Sequence, residues 1–385
     1  MVIAARLSAL SSSVAPEPRA SHVAPTTLRQ EEFVLDAVAL GRGRLAILNR
    51  SGLLTVRGHD RDRSVHVWPG PVLGGVLARS GQQLVAIGMA RSHAVVVVLD
   101  HDGGIRWSKR LERSWHPDDL PLVTVVPDGP LLVRWFSRHH VYAFRSVNGD
   151  VLWSRAFPDA EETVLTHHGV LVGSDGRLAL QSAYDGQEIW STTVPDGAFP
   201  VIADESATIV PLVTTDGPAL LDLSTGAPTA IRGAAEHIAV LGEDNSVLVV
   251  SADTEGSWVA DYGAGGQRSW QTRFPGMKPT EAYLIPSTGN QRWLVLERGS
   301  AAVVREVEQT GLGRAFDVPT PGQARVAAIT GEFVLLEDGV STFAWDPASA
   351  KVRWIERFGR LISVDPVVIL RNGELARPPG HDRVS

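Results

Sequence analysis

The histidines of this chain are the side chains with the most chemical potential. Two adjacent pairs stand out, His139-His140 and His167-His168, and His116 lies in LERSWHPDDLP (111–121) beside Trp115, Asp118 and Asp119. An imidazole next to carboxylates can recognise polar ligands or move a proton near neutral pH. Neighbouring residues on a strand point to opposite faces, so neither pair chelates one ion unless it sits on a turn. The sequence has no Gly-rich phosphate loop, no Gly-x-Ser-x-Gly and no His-Glu-x-x-His. VLGGVLARSG around Gly74 holds a glycine pair in strand surroundings and reads as a tight turn.

The elements that must position these residues form a repeat. NGDVLW (148–153) returns as DGQEIW (185–190), each with a polar residue, a Gly and, four places on, a Trp. Aligned on that spacing, the chain shows a longer consensus, roughly Ala-x-Asp-x-x-Thr-Gly-x-x-x-Trp. AFRSVNGDVLW, LQSAYDGQEIW and ADYGAGGQRSW fit it; LLDLSTGAPTA keeps Asp222, Thr225 and Gly226 but has Ala at the Trp position, GHDRDRSVHVW keeps Asp60 and the Trp, and AWDPASAKVRW has Ala350 in place of the Gly. VLDHDGGIRW is one residue short and REVEQTGLGRA keeps only Thr310 and Gly311. The phased positions are 68, 107, 153, 190, 230, 270, 315 and 354, spaced 37 to 46 residues apart, and six of the eleven tryptophans fall on them.

Each unit reads the same way inside. ETVLTHH, GVLVGSD, GRLALQSAYDGQ and EIWSTTV (162–194) are four short alternating runs punctuated by Gly and Asp. A polar residue plus Gly between the third and fourth runs suits a tight hairpin, because such a turn needs positive φ. No helical period competes. Four antiparallel strands, eight times over, predict an all-β fold: an eight-bladed β-propeller of four-stranded antiparallel blades.

The Ala-x-Asp…Thr-Gly…Trp pattern resembles the repeat of the pyrroloquinoline-quinone-like (PQQ-like) propellers over about residues 33–375. The resemblance implies that the Trp lies on the outer strand and docks against the neighbouring blade. The family's enzymes bind the quinone on the propeller axis with a vicinal disulfide, a stacked Trp and a calcium ion. This chain has no cysteine, so the disulfide is impossible, and no calcium set can be placed; neither PQQ nor calcium is expected. A lipidated cysteine, which the family's outer-membrane assembly lipoprotein requires, is also missing.

The up-and-down order of a blade sorts the histidines by end. His139-His140 precede a third strand and His167-His168 a second, so the two pairs lie on opposite ends of their sheets and cannot form one site. The connection 111–121 opens on the same end as the turn holding Arg138, His139 and His140. Trp115, His116, Asp118, Asp119, Arg138, His139 and His140 are therefore the candidate binding residues, with solvated turn histidines and an exposed polar loop as the alternative. A second long connection, RFPGMKPTE (273–281), belongs to blade seven, opposite blade three in a ring of eight, so the two loops could flank a channel mouth.

Composition narrows the function classes. The net charge of -7 is spread without a basic stripe, which argues against nucleic acid as a partner. The longest apolar run, 94–99, is strand-sized and far from a membrane span. Without cysteine there are no disulfides, thiolate metal sites or cysteine nucleophile. Residues 1–30 read as a flexible leader, 31–376 as a single propeller domain and 377–385 as a flexible tail. LISVDPVVILRNGELA (361–376) is expected to close the propeller against residues 33–40. The expected function is a non-catalytic binding platform for a protein partner or small ligand, acting as a cytoplasmic monomer. The alternatives are an enzyme of bacterial specialised metabolism with its site in the axial funnel, a sensor module, and, for location, an exported protein.

Overall fold

The computed structural model describes residues 34–376 apart from 42–43, 58–61, 81–82, 91, 101, 113–120, 136–138, 196–198, 201–206, 215–216, 232–236, 244–245, 264–265, 286–291, 321–323, 331–332, 358, 365–366 and 372–373. The expected leader and tail thus lie outside the described residues, as do Trp115, His116, Asp118, Asp119 and Arg138.

Short apolar runs separated by Gly and Asp turns pair consecutively, giving eight four-stranded antiparallel sheets and a three-stranded ninth. In chain order they span 34–66, 74–112, 122–156, 162–193, 199–230, 237–275, 281–319, 325–357 and 359–376; they are called sheets 1 to 9. Two compact units emerge. One comprises the described residues up to Leu77, Tyr283–Glu308 and those from Leu312 on; the other comprises Ala78–Ala282 with Gln309–Gly311.

The middle strands do not alternate as the sequence runs suggest. Leu131–Trp135 is buried at every position, and Gln83–Met89 at all but its first. Sheets 2 and 4 cover the two faces of Leu131–Trp135, so both faces must be apolar. Only outermost strands such as Ile105–Glu112 carry a largely exposed pattern. The core is a series of inter-sheet clusters. One packs Val96, Val98 and Trp107 of sheet 2 against Val133, Trp135 and Phe144 of sheet 3.

The Gly of the repeat makes a wider turn than a two-residue hairpin. The N–H groups of Gly149, Gly186 and Gly226 donate to the carbonyls of Arg145, Ser182 and Asp222, four residues back. Their φ angles are +73°, +69° and +72°, where a side chain costs strain. The repeat's Asp braces this turn, as Asp222 Oδ1 accepts the Ser224 N–H at 2.7 Å.

The Trp covers the Gly of the next repeat, not its own. Trp107 Nε1 donates to Ser146 O at 2.8 Å, Trp153 Nε1 to Ala183 O at 2.9 Å and Trp190 Nε1 to Leu223 O at 2.8 Å. A Cβ on Gly149 would stand 2.4 Å from the Trp107 ring, and one on Gly226 2.6 Å from Trp190. Gly is required twice over at these turns, for φ and for room. Trp68 departs from the scheme. It follows the last strand of sheet 1, Arg63–His66, and folds back over Gly52 of the same sheet.

Three other expectations change. Gly74 and Gly75 open the strand Gly74–Ser80 and form no turn. Arg273–Pro275 belong to the strand Arg268–Pro275, which shortens the long connection before sheet 7 to 276–280. Residues 361–376 contribute to sheet 9, whose strands pair only with one another among the described residues. The strand Gly359–Val364 does lie beside Val34–Gly41 as expected, but by packing. Its neighbour in sheet 8 holds it too: Leu361 packs on Ala328, Leu335 and Ala344, and its N–H donates to Glu337 Oε1.

Candidate functional site

The candidate site is built on sheets 3 and 4 and begins with a charge in the wrong place for solvent. Arg134 sits in the middle of the fully buried strand Leu131–Trp135, and only 3% of it is accessible. Burial lowers its pKa, and the charge of Glu162 partly restores it. Glu162 opens the first strand of sheet 4, Glu162–Thr166. Burial raises its carboxyl pKa against the opposing pull of Arg134. A buried guanidinium needs such a partner, since an uncompensated charge would be strongly destabilising.

His139 completes the group. It precedes the strand His140–Phe144 with φ +43°, in the left-handed region that, besides Gly, mostly Asn, Asp and His adopt. Two bonds hold it there: its carbonyl accepts the Phe157 N–H at 3.3 Å, and its Nδ1 lies 3.2 Å from Thr163 Oγ1. Thr163 is fully buried. Burial, reinforced by the Arg134 charge, lowers the His139 pKa. The imidazole is therefore neutral near pH 7 and presents one donor and one acceptor nitrogen.

His140 turns to the opposite face. Its Nε2 is 2.7 Å from Ser154 Oγ, and its ring stacks on Tyr142 with centroids 4.7 Å apart. Tyr142 stacks in turn on Phe144, which meets Trp107 of sheet 2. The two adjacent histidines thus do different things. His139 faces sheet 4 and the Arg134–Glu162 pair, while His140 heads an aromatic ladder inside the packing between sheets 2 and 3.

His167 and His168 form the turn between Glu162–Thr166 and Gly169–Ser174, at the other end of sheet 4 from Glu162. The separation expected from strand order is present. Arg134, Glu162 and Thr163 were missed by sequence reading. The signal was there in part, as Arg134 interrupts the apolar run LLVRW; Glu162 and Thr163 look like any strand start. Among the described residues no group of three or more His, Asp or Glu could hold a metal ion, and no helix is long and apolar enough to cross a membrane.

Neither the family models nor the curated proteins match this chain. Solved structures do. BamB from Moraxella catarrhalis is 16% identical, with a TM-score of 0.43 over 86% of this chain and 97% of that one. The C-terminal WD40 domain of Sif2 is 10% identical, with a TM-score of 0.49 over 80% and 94%. A eukaryotic initiation factor structure is 12% identical, with a TM-score of 0.52 over 86% and 91%. At such identities the likeness speaks for the fold alone. Together with the eight four-stranded antiparallel sheets, it establishes an all-β, eight-bladed β-propeller.

Proposed function

We propose that this propeller is a non-catalytic binding platform whose recognition rim is the His139 end of blades 3 and 4, where it takes a protein partner or a small polar ligand. One observation carries the reading: a neutral imidazole held in the left-handed region joins the buried Arg134 and the half-buried Glu162 at one end of blades 3 and 4. Displaced pKa values are what binding and reaction sites concentrate. The sequence candidates Trp115, His116, Asp118, Asp119 and Arg138 supply the outer contacts in this proposal. The repeat pattern supports placing the chain in the PQQ-like branch; the proposal has it work as a cytoplasmic monomer without quinone or calcium.

Comparative affinity capture from the source cells tests this, with wild-type, His139→Asn and His168→Ala proteins as baits. Asn tolerates the left-handed backbone, so the first variant removes the imidazole and keeps the turn. Partners lost with His139→Asn and retained with His168→Ala support the rim; equal recovery by both variants refutes it. The same displaced pKa values favour one second reading, an enzyme using His139 and Glu162 as an acid–base pair. Glu162→Gln separates the two: an enzyme keeps ligand affinity and loses turnover, whereas a binding rim loses affinity.

A further inference from the structure

At the other end of blades 2 to 4, away from His139, the turns open on a cleft of about 770 Å³, within the range of ligand and peptide sites. Its floor is preformed. In the turn after the strand Leu122–Val125, Val126 N–H bonds to Pro130 O at 3.0 Å and Gly129 N–H to Val126 O at 2.9 Å. Ser146 Oγ donates to Gly129 O, and the Trp107 indole fixes Ser146 from below. Asp128 in that turn has φ +52°, a left-handed conformation that Asp adopts in turns.

The charges in the cleft are uneven. Arg106 and Arg145 line it, and neither guanidinium makes a hydrogen bond or ion pair among the described residues. The acids nearby are committed to turns. Asp100 accepts the N–H groups of Asp102 and Gly104, Asp150 accepts from Asn148, and Asp185 accepts from Gln187. Asp128 is the only acid among the lining residues. In a chain of net charge -7, two guanidinia without a partner among the described residues thus stand beside apolar walls.

The apolar surface runs on past the cleft. Val147 is 81% exposed, Tyr184 60%, Ile189 54%, Ile105 44% and Val151 41%. Val147 and Tyr184 sit in the last turns of blades 3 and 4; Ile105, Val151 and Ile189 are the first or second residues of the outermost strands of blades 2, 3 and 4. Ile105 and Val151 share a register place that Glu188 takes in blade 4, with Ile189 at the register shift beside it, and blades 5 and 6 open their outermost strands with Pro228-Thr229 and Arg268-Ser269. Exposed apolar side chains spread over three blades call for an occupant longer than one small molecule, and outermost strands offer unpaired backbone groups to an extended chain.

We propose that this end of blades 2 to 4 is a second docking site, independent of the His139 rim, which takes an extended segment of a partner protein with carboxylate side chains set between apolar ones. The carboxylates pair with Arg106 and Arg145, whose planar forks suit them. The apolar side chains cover Val147, Tyr184 and the strand starts beside them.

A random peptide library displayed on phage and selected on the full chain tests this. The expected winners carry Asp or Glu beside aliphatic or aromatic residues. A fluorescein-labelled winner should lose about tenfold or more in affinity against the Arg106→Glu/Arg145→Glu protein and against Val147→Asp, and its affinity for wild type should fall as salt is raised, which narrows the gap to the charge variants. It should bind His139→Asn as it binds wild type. All the altered side chains of the cleft variants are exposed, so their melting temperature serves as the folding control. Octanoate is the counter-probe. If octanoate stabilises the protein in an Arg145-dependent way while no selected peptide depends on Arg145, the cleft is a small-anion pocket and the proposal falls. It falls equally if the winners lack acidic residues or ignore the arginine pair.

Discussion

The contact between Trp107 and Gly149 can be broken from either side, which makes it the sharpest test of how the blades are joined. Trp107 is 7% exposed, its indole donates to Ser146 O, and its ring meets Phe144 at 5.8 Å. Trp107→Ala should cost about 3–5 kcal/mol, the usual range for truncating a buried large aromatic. Gly149→Ala meets two separate penalties. The φ of +73° costs an alanine about 1–2 kcal/mol. The new methyl, 2.4 Å from the Trp107 ring, adds an overpacking cost of about 1–3 kcal/mol. In the Trp107→Ala background the second penalty disappears and only the backbone strain remains. The double variant should therefore be more stable than additivity predicts by about 1–3 kcal/mol. Urea titrations followed by far-ultraviolet circular dichroism measure all four proteins, provided the transition slope is shared. Gly186→Ala is the internal comparison, because its Cβ would stand 3.0 Å from Trp153 and should add little beyond the backbone term. Additivity within about 0.5 kcal/mol for the Trp107–Gly149 pair would refute the reasoning.

Ala350 holds φ +53° where other repeats place Gly; Ala350→Gly should raise stability by about 0.5–1 kcal/mol, the left-handed penalty less the entropy cost of Gly, and a lower urea midpoint would contradict this. His139 has a lowered pKa in the folded state, so its contribution to stability is complete above the unfolded value of about 6.5 and is lost as pH falls below it. His139→Asn should accordingly flatten the fall in melting temperature on acidification from about pH 7.5 to 5.5; an unchanged profile would count against the buried, Arg134-facing imidazole. Asp346 accepts from Ser349 and Arg353 and has its pKa lowered to about 2. The stability it provides is present above about pH 4 and drains away as pH falls towards its folded value. Asp346→Asn should therefore reduce stability at neutral pH and shrink its difference from wild type in acid, as thermal scans across pH will show.

Local geometry is written in the sequence because it involves neighbours along the chain. A Gly at φ +73° and an Asp bracing the turn two residues on are satisfied within one hairpin, and a Trp recurs four places after the Gly, so the period shows along the chain. Strand order also fixes ends, which is why the two histidine pairs could be separated before any coordinates. Contacts between sheets are of another kind. Trp107 finds Ser146 thirty-nine positions away, and nothing in NGDVLW says that its Gly is covered by the preceding Trp. Trp68 has the right phase, yet folds back on Gly52 of its own sheet. Arg134 looks like an exposed strand residue until both faces of Leu131–Trp135 are covered, and only then does it need Glu162 and unsettle His139. Residues 361–376 read as strands that would pair with the first sheet, whereas stacking on sheet 8 gives them a sheet of their own. The sequence thus determined the repeat, the turns and the ends on which side chains emerge. The stacking of one blade on the next decided which of those side chains meet, because burial and charge pairing depend on surfaces that no single repeat contains.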